Sequence, residues 1–291
     1  MRVGLVGIGN MGFAMAERLH ERGWLVAVRD IDPVRERDAA KRGMTVCASP
    51  GDVAAQSECV IVAVVDAAQV DRVLFEEGGV TTPASRAASC VMLCPTIAPN
   101  DTVRIATKLA EQHIDCIDAP MSGGPAMARD GRMSLMVACA DAVFEQYRRL
   151  IETLSTNVFR LGERVGDGAR TKLVNNLLAG VNLAGAAEAM ALAERLGLDL
   201  TRTLDVIEHS SGQSWIGSDR MRRALQADGA VRAHLSLLAK DTALAMRAAQ
   251  DVAFEPSLGS LTAALFARAC EQGLRDRDDA SLFEHLRGRR C

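Results

Sequence analysis

Apolar residues recur along this chain with two different periods, and the change from one to the other divides it. Over the first half, short runs rich in Val, Ile, Leu and Cys alternate with stretches whose apolar residues return every three or four positions. The runs at 2–6, 24–29, 59–65, 90–93 and 114–118 predict strands, and residues 11–22, 33–42 and 100–113 predict helices. One more strand is expected at 133–137. Strands alternating with helices imply βαβ units, a mainly parallel sheet with right-handed crossovers, and ligands beyond the carboxyl ends of the strands.

From about Arg164 the strand signal stops. Residues 169–196 carry Leu173, Val174, Leu177, Leu178, Val181, Ala184, Ala187 and Ala191 at helical spacing, with Gly197 where a left-handed cap is expected. At roughly 30 residues this helix exceeds an ordinary globular one, so it should run through the core and join two domains. Further helices are expected at 200–209, 233–252 and 256–272. The fold class is therefore α/β: a doubly wound sheet over residues 1–163, then an all-α domain over 164–291.

Gly7-Ile8-Gly9-Asn10-Met11-Gly12 follows the first strand and opens the first helix. Gly7 permits a tight turn, Gly9 lets backbone approach a pyrophosphate, and Gly12 lets the helix pack close to the sheet with its amino terminus towards the phosphates. A bare glycine triplet is weak, but here the strand–loop–helix context is met, which makes the first domain Rossmann-type. Asp30 ends the second strand, where a carboxylate accepts from both ribose hydroxyls and repels a 2′-phosphate. Ile31 and Asp32 follow it instead of an arginine, so NAD is expected, with NADP disfavoured. The plainer alternative makes Asp30 a turn residue, with Asp32 the helix cap before Pro33.

Lys172 and Asn176 stand four apart on the long helix and so share a face. A lysine partly desolvated at a domain junction can donate and accept a proton near neutrality, and an asparagine can hold a hydroxyl or carboxylate without changing charge. Asn175 and Asn176 fall inside an apolar helix, where unpaired amides are costly, which argues against a merely solvated lysine. Ser122-Gly123-Gly124 follows a strand end; its backbone N–H groups and hydroxyl suit a substrate carboxylate, although an ordinary serine–glycine turn has the same composition.

Four segments in order now stand together. They are the glycine loop; Asp118-Ala119-Pro120-Met121-Ser122-Gly123-Gly124 with Ala128 and Gly131; Gly162, Gly166 and Gly168 leading to Lys172, Asn175 and Asn176; and Lys240-Asp241. In order and spacing they resemble the β-hydroxyacid dehydrogenase family, which includes 3-hydroxyisobutyrate dehydrogenase, tartronate semialdehyde reductase and L-threonate dehydrogenase. The resemblance covers nearly the whole chain. It implies Lys172 as general acid/base, with Ser122 and Asn176 as its catalytic companions. Ser122, Gly123, Gly124, Asn176 and Trp215 would line the substrate site. Thr96 would reach the nicotinamide ribose and Lys240 would close over cofactor and substrate. For these last residues the plainer readings stay open: Thr96 as a helix-entry residue, Lys240 paired with Asp241, Trp215 as a core or interface aromatic. The Ser-Gly-Gln-Ser-Trp stretch ending at Trp215 most resembles the L-threonate branch. Two departures stand out. Ala138-Cys139 replaces a glycine pair at what resembles a hairpin turn, and Met121 replaces a valine.

Bulk properties narrow the alternatives. Hydrophobic residues are 48% and charged residues 24% of the 291, as in a globular protein. A net charge of −3 and 3% aromatic content give neither the basic field nor the stacking platforms of a nucleic-acid binder. No secretory signal is visible, and no apolar run approaches the ~18–20 residues of a membrane span. The eight cysteines, from Cys47 to Cys291, form no CxxC pair and suit a reducing cytoplasm as small buried hydrophobes. The five histidines suggest no metal, and His209 reads as a helix-end residue. An imine reductase of the same plan would usually lack the lysine, and a non-catalytic NAD-binding regulator would not need Ser122, Lys172 and Asn176 together. A homodimer or homotetramer is expected, because the long helix is more apolar than one small helical domain can bury. The small residues Gly180, Ala184, Gly185, Ala186 and Ala187 would allow close helix approach.

Overall fold

A computed structural model of the chain describes residues 2–82, 86–226 and 229–288. Cys291 lies outside them. The chain divides into two compact units, Met1–Lys172 and Leu173–Cys291, the break falling inside one long helix.

The first unit alternates strands and helices: β1 (Arg2–Val6), α1 (Asn10–Glu21), β2 (Leu25–Arg29), α2 (Pro33–Lys41), β3 (Thr45–Val46), α3 (Pro50–Gln56), β4 (Cys59–Val62), α4 (Ala67–Phe75), β5 (Cys90–Leu93), α5 (Pro99–Ala110) and β6 (Asp115–Asp118). These six strands are parallel in the order β3-β2-β1-β4-β5-β6. The order reverses between β1 and β4, so the crevice for a ligand opens beyond the carboxyl end of β1. Strands β4 and β5 are buried along their whole length, which explains their continuous apolar runs. Helices on the two faces close two separate cores. One is built on Val3, Leu5, Met15, Leu19 and Tyr147, the other on Val60, Val62, Val70, Leu74 and Ile105.

Beyond β6 the sheet continues as β7 (Met121–Ser122), α6 (Gly124–Asp130), β8 (Ser134–Ala138), α7 (Asp141–Leu154) and β9 (Asn157–Gly162). Here the hairpin expected at Ala138-Cys139 is corrected. Cys139 donates its N–H to the Gly162 carbonyl, and α7 carries the chain back to β9, which lies parallel to β8. The antiparallel pairings of β8 are instead with β6 and β7.

The long helix is α8 (Asp167–Arg195). After it come α9 (Leu200–Glu208), α10 (Trp215–Gln226), α11 (Leu235–Asp251), α12 (Ser257–Ala269) and α13 (Leu282–Arg287). No strand of more than a single bridge occurs among the described residues of this second unit, as its sequence period implies. Leu183, Ala187, Met190 and Ala191 of α8 form its core with Leu204, Leu235, Phe266 and Phe283. By length and composition alone α8 could cross a membrane, against the expectation that no segment approaches that threshold. An uninterrupted apolar run is the stricter test, and Lys172, Asn175, Asn176, Asn182 and Glu188 interrupt it.

Candidate active site

The glycine loop lies at the carboxyl end of β1, and each glycine has a separate reason. Gly7 sits at φ +89, a conformation that side chains disfavour, and a Cβ there would meet the Ala63 carbonyl at 2.8 Å. A Cβ on Gly12 would fall 2.0 Å from the Gly7 carbonyl, so helix and turn could not close up. A Cβ on Gly9 would meet nothing within 4 Å; it would fill open space above the loop. No side chain caps α1, which begins here, so its first amides are available to an anion. The loop is therefore shaped for a pyrophosphate.

Asp30 reaches back to this loop. One carboxylate oxygen accepts from the Ile8 N–H at 2.6 Å and the other from the Asp32 N–H at 2.8 Å. Asp32 is the cap of α2, accepting from Val34, with Pro33 in the first turn. The cap is thus Asp32, while the Asp30 carboxylate sits on two backbone N–H groups at the glycine loop. Two further side chains at the strand end were not singled out from the sequence. Glu36 accepts from the Asp30 N–H and pairs with Arg29 at 2.5 Å, and Arg35 donates to the Asn10 side chain at 2.7 Å. Ile8 is buried, and Met11 is half-buried against the core, so both serve the loop through backbone. Thr96 is half-buried in the loop after β5, at the same end of the sheet.

Ser122 ends β7, opposite Ser134, and Gly123 and Gly124 follow. Gly123 has φ +128, and a Cβ on it would press on Met127 at 2.8 Å. A Cβ on Gly124 would meet nothing. Gly131, the left-handed cap of α6, is covered by the Arg18 guanidinium from α1, which also donates to the Thr153 carbonyl. The helix after the glycine loop is thus tied to the helix after Ser122.

On α8, Lys172 and Asn176 are one turn apart and only 6% and 8% exposed. Asn176 donates its amide to Asp241 of α11 at 2.6 Å and accepts from Asn175 at 3.0 Å. Asn175 itself is exposed, so the cost of a buried amide falls on Asn176 alone. Gly180, one turn further, lets α11 come close: a Cβ there would press on Thr242 at 2.9 Å. Lys240 pairs with the other oxygen of Asp241 at 2.9 Å. Asp241, which the sequence marks only as a neighbour of Lys240, is thus also the residue that holds Asn176. Its burial follows from the helical period of α11, which places it with Leu238, Thr242 and Ala245 on the inner face.

Trp215 opens α10, 55% exposed, with the Arg220 guanidinium 5.7 Å from its ring. It borders a cavity of about 380 Å³ whose lining includes Arg222 and Arg223, both paired with acids. Lys172 and Asn176 do not line that cavity. His209 caps α9 and its ring bonds the Asp205 carbonyl. Burial pushes the thiols of Cys90, Cys94 and Cys116 well up, as expected of inert core cysteines.

Known proteins match this geometry along the whole chain. Residues 2–162 match the family described as the NAD binding domain of 6-phosphogluconate dehydrogenase. Residues 166–286 match the one described as NAD-binding of NADP-dependent 3-hydroxyisobutyrate dehydrogenase. The L-threonate dehydrogenase of Haemophilus influenzae is 33% identical over 98% of this chain and 95% of its own length. The crystal structure of 3-hydroxyisobutyrate dehydrogenase from Salmonella typhimurium superposes with a TM-score of 0.89 at 32% identity, covering 98% of this chain and 99% of that one. An imine reductase from Myxococcus stipitatus shares the fold alone, at 19% identity and a TM-score of 0.69, over 98% and 100% of the two chains.

Proposed function

Because the chain belongs to the β-hydroxyacid dehydrogenase family, we propose that this NAD-dependent hydroxyacid dehydrogenase oxidises a short polyhydroxy acid of the L-threonate kind, with Lys172 as the general acid/base. The observation that carries the reading is the burial of Lys172 one turn from a buried Asn176 that is itself held by Asp241. NAD, with its pyrophosphate at the glycine loop and its ribose towards Asp30, would supply the hydride acceptor for the carbon bearing the hydroxyl. Lys172 takes the hydroxyl proton as that hydride leaves and returns it in the reverse direction. Asn176 orients the substrate oxygen, with Asp241 fixing which way its amide faces. The Ser122 hydroxyl and the N–H groups of Gly123 and Gly124 hold the carboxylate.

Asp30 supports NAD over NADP, since its carboxylate stands at the loop where a 2′-phosphate would come. Arg35 is the cation nearest to the opposite case. Residues 1–163 carry the dinucleotide, and 164–291 supply substrate groups and the oligomer contact. The exposed Val174 and Leu178 of α8 support that contact. Gly259 packs on Leu177, which sets the equally exposed Leu258 and Leu261 of α12 beside them. The small residues of α8 are largely used within the chain itself: Gly180 on Thr242, Ala184 and Ala187 in the helical core, Ala186 against Gly217. A cytoplasmic protein with no membrane or nucleic-acid partner is the setting this implies.

The deciding experiment offers purified protein and NAD a set of short hydroxy acids: L-threonate, 3-hydroxyisobutyrate, glycerate and 2-(hydroxymethyl)glutarate. NADH formation fastest with L-threonate is expected. Preference for 3-hydroxyisobutyrate would overturn the substrate assignment.

A further inference from the structure

Asp118 is the last residue of β6 and is 2% exposed. It is the first residue of the segment leading to Ser122, yet nothing in the chemistry above uses it. Its carboxylate faces the start of α8. One oxygen accepts from the Gly166 N–H at 2.8 Å and the Ala169 N–H at 3.2 Å, and the Gly168 N–H is a third backbone donor. The first amides of a helix have no partner within it, and a negative charge there also meets the positive end of the helix dipole. Gly168 makes the approach possible: a Cβ on it would fall 2.8 Å from the Asp118 carboxyl carbon and 2.8 Å from the Met136 carbonyl of β8. The glycines at 166 and 168 thus bring the helix start down onto a carboxylate at the sheet's ligand end.

We propose that Asp118 is a positioning residue for catalysis, pinning the first turn of α8 to the end of β6 and thereby fixing where Lys172 stands. Lys172 follows Ala169 by three residues, roughly 4.5 Å along the axis at 1.5 Å per residue. A shift of the first turn is therefore passed on to it directly. On the strand side, Ser122 is four residues beyond Asp118 and in the same antiparallel pairing with β8. One side chain joins the two segments that carry proton transfer and carboxylate binding. A buried carboxylate is a poor choice for stability alone. Burial pushes its pKa up to about 6, while the N–H bonds from Ala169, Gly166 and Gly168 hold it down. Three amides aimed at one carboxylate fix position as a neutral side chain with a single acceptor cannot.

The role of Lys172 is the reading this rests on, so the test separates the two. Asp118→Asn, Gly168→Ala and Lys172→Ala are compared with the wild type. Hydrogen exchange of the full chain is followed at the amides of 166–169, and turnover is measured with L-threonate and NAD. Asp118→Asn should speed exchange at 166–169 at least tenfold, leaving β8 amides unchanged. It should lower kcat about tenfold or more, with KM for L-threonate and NADH affinity within about twofold and the melting temperature not lowered. Gly168→Ala, which displaces the helix start while keeping the charge, should reproduce that pattern even if Asp118→Asn folds poorly. Unchanged exchange at 166–169 in both variants, or unchanged kcat in both while Lys172→Ala is inactive, overturns the proposal. Full turnover by Lys172→Ala overturns the Lys172 reading instead. The exchange measurement needs no substrate and decides the anchor either way.

Discussion

Asn176 gives an amide hydrogen to Asp241 across two helices at 2.6 Å, and both residues are more than nine-tenths buried. An asparagine side chain can be reversed with little change of shape, exchanging donor for acceptor. The carboxylate of Asp241 accepts only, so it fixes the amide with its nitrogen towards α11.

Replacing Asp241 should therefore damage substrate use more than cofactor use. Asp241→Ala is expected to lower kcat/KM for the hydroxy acid by about 10–100-fold, the cost of a buried hydrogen bond left unmade. NADH affinity, measured by fluorescence titration, should stay within about twofold. An equal loss in both would place Asp241 at the cofactor.

Lys172→Ala should lower kcat by roughly 10²–10⁴ and leave NADH binding unchanged. Steady-state rates and the same fluorescence titration check the two halves. Near-full turnover would remove Lys172 from proton transfer.

Much of this was legible in the sequence, and the reasons differ by residue. The glycine loop, Asp30 and the Lys172/Asn176 pair are local patterns, and the structure gives each a local cause. Helix α7 was legible too and went unread: Phe144, Tyr147, Leu150, Ile151 and Leu154 recur at helical spacing and are all buried. The hairpin expected at Ala138-Cys139 failed because a strand end looks alike whether the chain turns back at once or after a crossover helix. Asp118 is legible as the start of a motif, but its bond to the start of α8 is not. Its partners are 48 and 51 residues away, and nothing within one sequence links a strand end to a distant helix start.

The cofactor should be NAD. Initial rates at equal concentrations of NAD and NADP are expected to favour NAD, and Asp30→Ala should shrink that preference about tenfold or more by removing a charged hydrogen-bond acceptor. The same variant frees the Ile8 N–H, so some loss with NAD is expected as well. A wild-type preference for NADP would assign the ribose end to Arg35 instead.

Asp118 should also leave a mark on stability. Its folded pKa of about 6 lies above the ordinary unfolded value of about 3.9, so the folded state binds the extra proton between those values. This group's contribution is then fully present below about pH 4 and is lost as pH rises through 6, at most roughly 3 kcal/mol for two pKa units. Asp71 and Asp278 are held low and slope the opposite way, so the difference between wild type and Asp118→Asn isolates the effect. Urea denaturation should show the variant gaining on the wild type as pH rises from 4 to 7. A constant difference would mean that Asp118 does not titrate in this range.

Light scattering at micromolar concentration should give a dimer or larger. Leu178→Glu together with Leu261→Glu should shift it towards monomer, because charges replace the apolar centre of the proposed contact. A wild-type monomer with full activity would leave those leucines simply exposed.

The bond between Asp118 and the start of α8 also decides where this protein can be cut. A nucleotide-binding fragment ending at residue 163 would retain every strand of the sheet yet leave Asp118 without all three of its amide partners. During synthesis the growing chain meets the same condition: β6 is made about 50 residues before the turn that satisfies it. Until the first turn of α8 has left the ribosome, the Asp118 carboxylate has none of these partners. The first turn of α8 thus completes the fold of the half that precedes it.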